Sequence, residues 1–157
     1  MTDPVNDAWG DIAGWLAGRA PASLAAVRPP AGPDRLAAAE AELGFPLGPD
    51  LAAWWSRHDG ATFDGGQVLP SYVPYGIDAM LASRRMWLEV ADEAWGDWAR
   101  IAGAEQPAGG MAWAFLPELV PIAFDGSGND LVVDFRHGPL RGCIKTYAAR
   151  VSTAHRA

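Results

Sequence analysis

The stretch from Leu119 to Phe135, L-V-P-I-A-F-D-G-S-G-N-D-L-V-V-D-F, constrains the fold more than any other part of the chain. Two runs rich in β-branched and aromatic residues flank a cluster of Asp, Gly, Ser and Asn, the composition of two strands joined by a tight connection. It reads as a β-hairpin. Leu131, Val133 and Phe135 alternate with Val132, Asp134 and Arg136, so one face of the second strand is expected in the core while the other carries charge at its far end. The tip, with Asp125, Asn129 and Asp130, is expected at the surface. Because the stretch contains no nucleophile, no paired acid and base and no complete metal loop, a functional reading has to come from surface charge and from the pattern of the whole chain.

A chain of 157 residues, half of them apolar, falls in the range of one globular domain and buries about 70% of the surface that its unfolded form exposes. One domain over residues 1–157 is expected, with a short C-terminal tail at 148–157. The single cysteine, Cys143, leaves neither an internal disulfide nor a CxxC zinc pattern, which suits a reducing compartment. The opening M-T-D-P-V-N-D-A-W lacks the basic and apolar regions of a secretory signal, and no later apolar run reaches membrane-spanning length. Cytoplasmic residence is therefore expected. The net charge of -7 is unevenly spread: residues 1–135 hold all 19 acidic and 7 of the 12 basic residues, and residues 136–157 hold five basic and no acidic ones. Such an acidic body repels phosphate backbones, which argues against nucleic acid as a direct partner.

In chain order, Asp3-Pro4 offers a cap and a first-turn proline, and Val5, Ala8, Trp9, Ile12, Trp15 and Leu16 follow at helical spacing as far as Gly18. Both tryptophans read as core anchors. Pro21-Ala22 to Pro29-Pro30-Ala31-Gly32 predicts an extended connection. A second helix runs from Pro33 to Gly44 with Leu36, Ala39 and Leu43 on its stripe, and a third starts at Pro49 with Leu51, Trp54, Trp55 and His58 aligned and Gly60 as C-cap. His58 there reads as a cation meeting the negative end of the helix dipole. Ala61 to Tyr75 predicts one short strand, which its prolines confine to an edge, and Gly65-Gly66 lacks the basic residue and following helix of a phosphate loop.

From Asp78 the spacing predicts a long helix. Met80, Arg84, Trp87, Leu88, Ala91, Trp95 and Trp98 share its stripe, while Glu89, Asp92, Glu93 and Asp97 line its outer side. Gly103 to Gly110 then breaks all periodicity and reads as a mobile loop.

Two separated segments now fall into a known order. Glu40 to Gly44 followed by F-P-L-G-P-D-L-A-A-W-W-S-R-H-D-G resembles the N-terminal signature "E-x-x-L-G-x-x-L-P-x-D-L … N-G" of the SUKH superfamily, which includes the fungal Smi/Knr cell-wall regulators. P-I-A-F-D-G-S-G-N-D-L-V-V-D resembles its hairpin, "P-I-A-x-D-G-S-G-N-x-x-x-x-D". The likeness runs from about Leu36 to Tyr147 and includes a strand at Gly142, Cys143 and Ile144. It implies an α+β fold with helices packed around a mostly antiparallel twisted sheet. Bacterial members are generally regarded as immunity proteins that hold a cognate polymorphic toxin inactive by direct contact, and fungal members look like regulators of cell-wall synthesis. The resemblance carries over fold-determining positions only: Gly44, Leu51, Gly60, Pro121, Gly126, Gly128, Asn129 and Asp134. The sequence departs from the signature at Gly48 and Asp59. Its last strand is followed by only Y-A-A-R-V-S-T-A-H-R-A, so the family's closing helix is expected to be short or absent, leaving part of the sheet open.

Other chemistry fails on spacing. Counting from Asp125, a calcium loop needs glycine where Asp130 stands and glutamate where Arg136 stands. Cys143 with His137 or His58 makes no recognisable nucleophile pair, and the three histidines have no zinc spacing. The spacings thus predict no enzyme, no cofactor and no metal, and the resemblance implies a binding protein. Its expected partner is a protein, a cognate toxin domain or, alternatively, a cellular protein served by a regulatory or scaffold module. The residues expected to meet that partner are Asp59 and Asp64, the helix carboxylates Glu89, Asp92, Glu93 and Asp97, and Asp125, Asn129 and Asp130 at the hairpin tip.

Overall fold

The computed structural model describes residues 3–63 and 68–148; Asp64 and the tail beyond Ala148 lie outside them. Prolines set the first four helices. Asp3 accepts from the N–H groups of Val5 and Asn6 (3.1 and 3.4 Å) and opens α1 (Pro4–Arg19). A proline also stands in the first turn of α2 (Pro21–Ala25), α3 (Pro33–Leu43) and α4 (Pro49–Arg57), where its missing N–H has no helical acceptor to lose. The connection expected from Pro21 is thus helical at first. It becomes extended at Val27 to Ala31, where Arg28 and Ala31 donate to the carbonyls of Gly60 and Trp55.

The chain continues through β1 (Val73–Pro74), α5 (Ile77–Ala104), β2 (Leu119–Phe124), β3 (Asn129–Asp134) and β4 (Cys143–Ala148). The strands form one sheet in the order β1-β2-β3-β4, every neighbouring pair antiparallel, and the fold is α+β. Pro121 is tolerated in β2 because β1 pairs only with Ala123 and Phe124, and the β2–β3 register shifts between Pro121 and Ala123.

Both faces of the hairpin are covered. Val120, Ile122, Val133 and Phe135 pack with Leu43, Leu51, Trp55 and Met80 in the larger core, and Leu119 and Val132 pack with Trp87, Phe115 and Leu116 in a second cluster. Burial of a side chain such as Trp55, which is 0% exposed and donates to the Tyr75 carbonyl at 3.0 Å, stabilises the fold by several kcal/mol on the order of the large-to-small penalties for Trp.

The charged face of β3 is therefore internal, contrary to the amphipathic reading. Asp134 is 0% exposed and Arg136 3%, and their ion pair closes at 2.7 Å, with Lys145 adding a second at 2.8 Å. Burial by itself would raise the Asp134 carboxyl, but the Arg136 and Lys145 cations and the Gly109 N–H outweigh it and hold it well below the usual carboxylate range. Arg136 spends its remaining donors on the carbonyls of Gly110 (2.8 Å), Gly103 and Gln106 (both 3.3 Å). The segment Gly103 to Gly110, expected as a mobile loop, is thus pinned to the sheet, and Ala108 is buried within it.

Three further expectations change. Trp15 is 62% exposed rather than core, and Trp9 is half-buried against Trp54 and His58. The α4 helix ends at Arg57, not at a Gly60 cap. A Cβ on Gly60 would lie 2.2 Å from the Gly76 nitrogen, so this glycine serves the close crossing of two backbones. His58 is not a surface cation: it is fully buried, lies 4.1 Å from the Trp54 ring and 4.3 Å from the Trp9 ring, and burial pushes it down to about 4. It is neutral, and its Nδ1 accepts from the Gly60 N–H at 3.2 Å.

Candidate partner-binding surface

The α5 helix carries most of the accessible chemistry, because its two halves differ. Up to Ala91 the expected stripe is buried or half-buried: Met80 0%, Arg84 8%, Trp87 7% exposed. At Gly96 the helix is interrupted, with φ 55° and ψ -150°, a conformation essentially confined to glycine. On both sides of this break the rest of the stripe lies outside. Trp95 is 47% and Trp98 60% exposed, although the sequence put both on the stripe opposite the acidic side, and Ile101 is 65% exposed; the two indoles sit 6.4 Å apart.

Glu89, Asp92, Glu93 and Asp97 are exposed beside them. Arg100 pairs with Asp97 and, at 3.8 Å, with Asp92, whereas Glu89 and Glu93 have no ion pair among the described residues. A groove of about 380 Å³ opens at the break, floored by Leu88, Ala91, Ala114 and Phe115 and rimmed by Glu89, Asp92 and Arg100.

A second groove, about 490 Å³, lies at the hairpin tip between Met86 and Trp87 of α5 and Phe63, Phe124, Gly126 and Gly128. Phe63 stacks on Phe124 (5.6 Å) and Phe124 on Tyr75 (5.0 Å). Asp125 takes donors from Asn129 and Ser127, which hold its carboxyl well below the usual range; its bond from the Ser127 N–H is 2.7 Å. Asp125 and Asn129 thus build the turn itself.

Asp130 does not stand at the surface. It is 4% exposed and accepts from Ser83 Oγ (2.7 Å), Trp87 Nε1 (2.8 Å) and Tyr75 Oη (3.0 Å). It faces the same side of β3 as Val132 and Asp134, and the α5 donors above that side draw it in. Asp59 is also occupied within the fold: it accepts from the Ile77 N–H at 2.7 Å, at the start of α5, and pairs with Arg35 at 3.0 Å. Asp64 lies outside the described residues.

Among the described residues that the sequence nominated, the α5 set forms an exposed group, and Asp125 and Asn129 a half-buried pair. The sequence reading missed the exposed apolar residues Phe63, Met86, Val90 and Ile101 and the exposure of Trp95 and Trp98. The available signal was Gly96, a helix breaker set between two tryptophans of a continuous stripe.

Among the described residues no group of three or more His, Cys, Asp or Glu side chains is placed to hold a metal ion, and no helix is long and apolar enough to cross a membrane. Helices around an antiparallel sheet, with two grooves set on one long broken helix and a hairpin tip, define an α+β domain. Residues 30–154 match the SMI1 / KNR4 family (SUKH-1), and the chain belongs to that family. No curated protein matches it. Members of the family are generally non-catalytic binding domains and commonly confer toxin immunity.

Proposed function

We propose that the chain, as one domain over residues 1–157, is an immunity-type protein of the cytoplasm that neutralises a cognate polymorphic toxin by direct contact, without catalysis or cofactor. The observation that carries this reading is the family match over residues 30–154. The carboxylates Glu89, Asp92, Glu93 and Asp97 support it, since an acidic ridge speeds encounter with a basic partner and repels nucleic acid. Asp125 and Asn129 shape the neighbouring tip, and Asp59 and Asp130 hold the elements that present these surfaces.

The test is co-expression with the toxin domain encoded beside this chain. Restored growth and a complex that survives gel filtration are the expected results. Continued killing together with separate elution of the two proteins would refute the reading. Stable capture of a cellular protein without any protection would instead favour a regulatory or scaffold module.

A further inference from the structure

We infer that the broken end of α5 is the anchor of the interface, and that its occupant is a protein face combining basic side chains with an apolar projection. This rests on the binding role proposed above and adds to it where the grip lies and what chemistry it takes. Trp95, Trp98 and Ile101 present large apolar side chains to solvent on one short segment, and a monomer's exposed apolar patch of that kind marks a contact surface. Tryptophan is also, with tyrosine and arginine, enriched among the residues that dominate binding energy. Trp95 and Trp98 flank the Gly96 break, and both lie beyond Trp87, the last buried residue of the stripe.

Charge selects the occupant. Glu89 and Glu93 are free of ion pairs among the described residues, and Asp92 and Asp97 share Arg100, so the rim is net negative. A second copy of this chain would bring equal carboxylates face to face, and an anionic lipid or nucleic acid surface would be repelled. A basic protein face gains both the carboxylates and the indole faces, which attract lysine and arginine. The groove beside the break, about 380 Å³ with an Ala and Phe floor, receives the apolar projection.

Two arms test this. In the first, Trp98→Ala, Trp95→Ala/Trp98→Ala and Glu89→Lys/Glu93→Lys are compared with the wild type in the growth and gel-filtration assay. The double Trp and the double Lys variants are expected to bind at least tenfold more weakly while keeping the wild-type circular dichroism and urea midpoint. Full protection by all three variants would overturn the anchor and leave the immunity reading intact. Failure of the wild type itself would remove the immunity reading and not the anchor.

The second arm is independent of any toxin. A helical peptide of alternating Lys and Leu blocks and its Glu/Leu counterpart are titrated into the full chain by calorimetry at low and high salt. The Lys/Leu peptide is expected to bind, more weakly at high salt, and to lose at least tenfold in affinity against Trp95→Ala/Trp98→Ala. Equal binding by the double variant, equal binding of the Glu/Leu peptide, or self-association of the wild type that Trp98→Ala abolishes would each overturn the proposal.

Discussion

Asp130 and Asp134 on β3, and Glu89 and Glu93 on α5, are carboxylates of the same chemistry put to opposite use. The strand pair is buried and saturated. Asp130 takes donors from three side chains, and Asp134 takes Arg136, Lys145 and two backbone N–H groups. The helix pair stands in water with no ion-pair partner among the described residues. What separates them is the supply of donors from other elements: Ser83 and Trp87 of α5 reach over Asp130, and the 103–110 segment closes over Asp134. A carboxylate whose every lone pair is already used organises the fold, whereas one left open is available to another molecule.

The sharpest way to break this contrast is Asp134→Ala. It strands the Arg136 guanidinium, 3% exposed, and Lys145 beside it, and removal of one partner from a buried ion pair costs about 3–5 kcal/mol. Urea unfolding should show that loss, with faster amide exchange at Gly109, whose N–H then has no acceptor. A loss below about 1 kcal/mol would mean that the pair behaves like a surface one.

Acid probes the interior next. His58 titrates at about 4 in the fold, with burial as the main cause, against about 6.5 unfolded. Between those values the unfolded state binds the extra proton, so its contribution is intact above about pH 6.5 and is lost as the pH falls towards 4, by about 3 kcal/mol in all. Asp134 is also depressed; its stabilisation is intact above the unfolded carboxylate pKa of about 3.9 and is lost progressively as the pH falls from there through its own folded pKa. Urea midpoints at pH 7, 5.5 and 4.5 should fall for the wild type and stay flatter for His58→Phe over that window. Parallel curves would exclude His58 as the source. At Asp130, Asp130→Asn keeps the shape but removes the charge that receives Ser83, Trp87 and Tyr75, for a loss of about 1–3 kcal/mol. An unchanged urea midpoint would show that the three donors find acceptors elsewhere.

The hairpin, its turn and the proline-started helices α1, α3 and α4 were legible in the sequence because each depends on near neighbours: period-two alternation, Asp125 with Ser127 and Asn129, a proline in the first helical turn; the five-residue α2, too short to show a period, was not. The fate of charge was not. The alternation of Val132, Asp134 and Arg136 has the same pattern whether that face meets water or a covering segment, and what covers it, Gly103 to Gly110 and Phe115, comes from elsewhere in the chain without periodicity of its own. His58 was misread for the same reason, since Trp9 of α1 closes over it from 49 positions away. In α5 the stripe was correct as far as Ala91, and it failed from Trp95 onward, where the stripe has passed its last buried residue and the helix is then broken at Gly96.

The smallest stability effect is the most telling one for the surface set. Glu89 and Glu93 lie four residues apart on a helix, so their like charges repel. Glu89→Gln/Glu93→Gln should leave the urea midpoint unchanged or raise stability by about 0.2–0.5 kcal/mol. That sign is opposite to the one expected at Asp130, where the same loss of charge weakens the fold. Among the described residues only the attraction of exposed Arg85, one turn before Glu89, offsets this repulsion, and a further gain has to be sought in what the pair attracts. The neutral double variant is therefore expected to fold at least as well as the wild type and to bind a basic partner more weakly, with the difference shrinking as salt screens the charges. If instead it loses stability comparable to Asp130→Asn, the two carboxylate pairs serve one structural role and the contrast between them disappears.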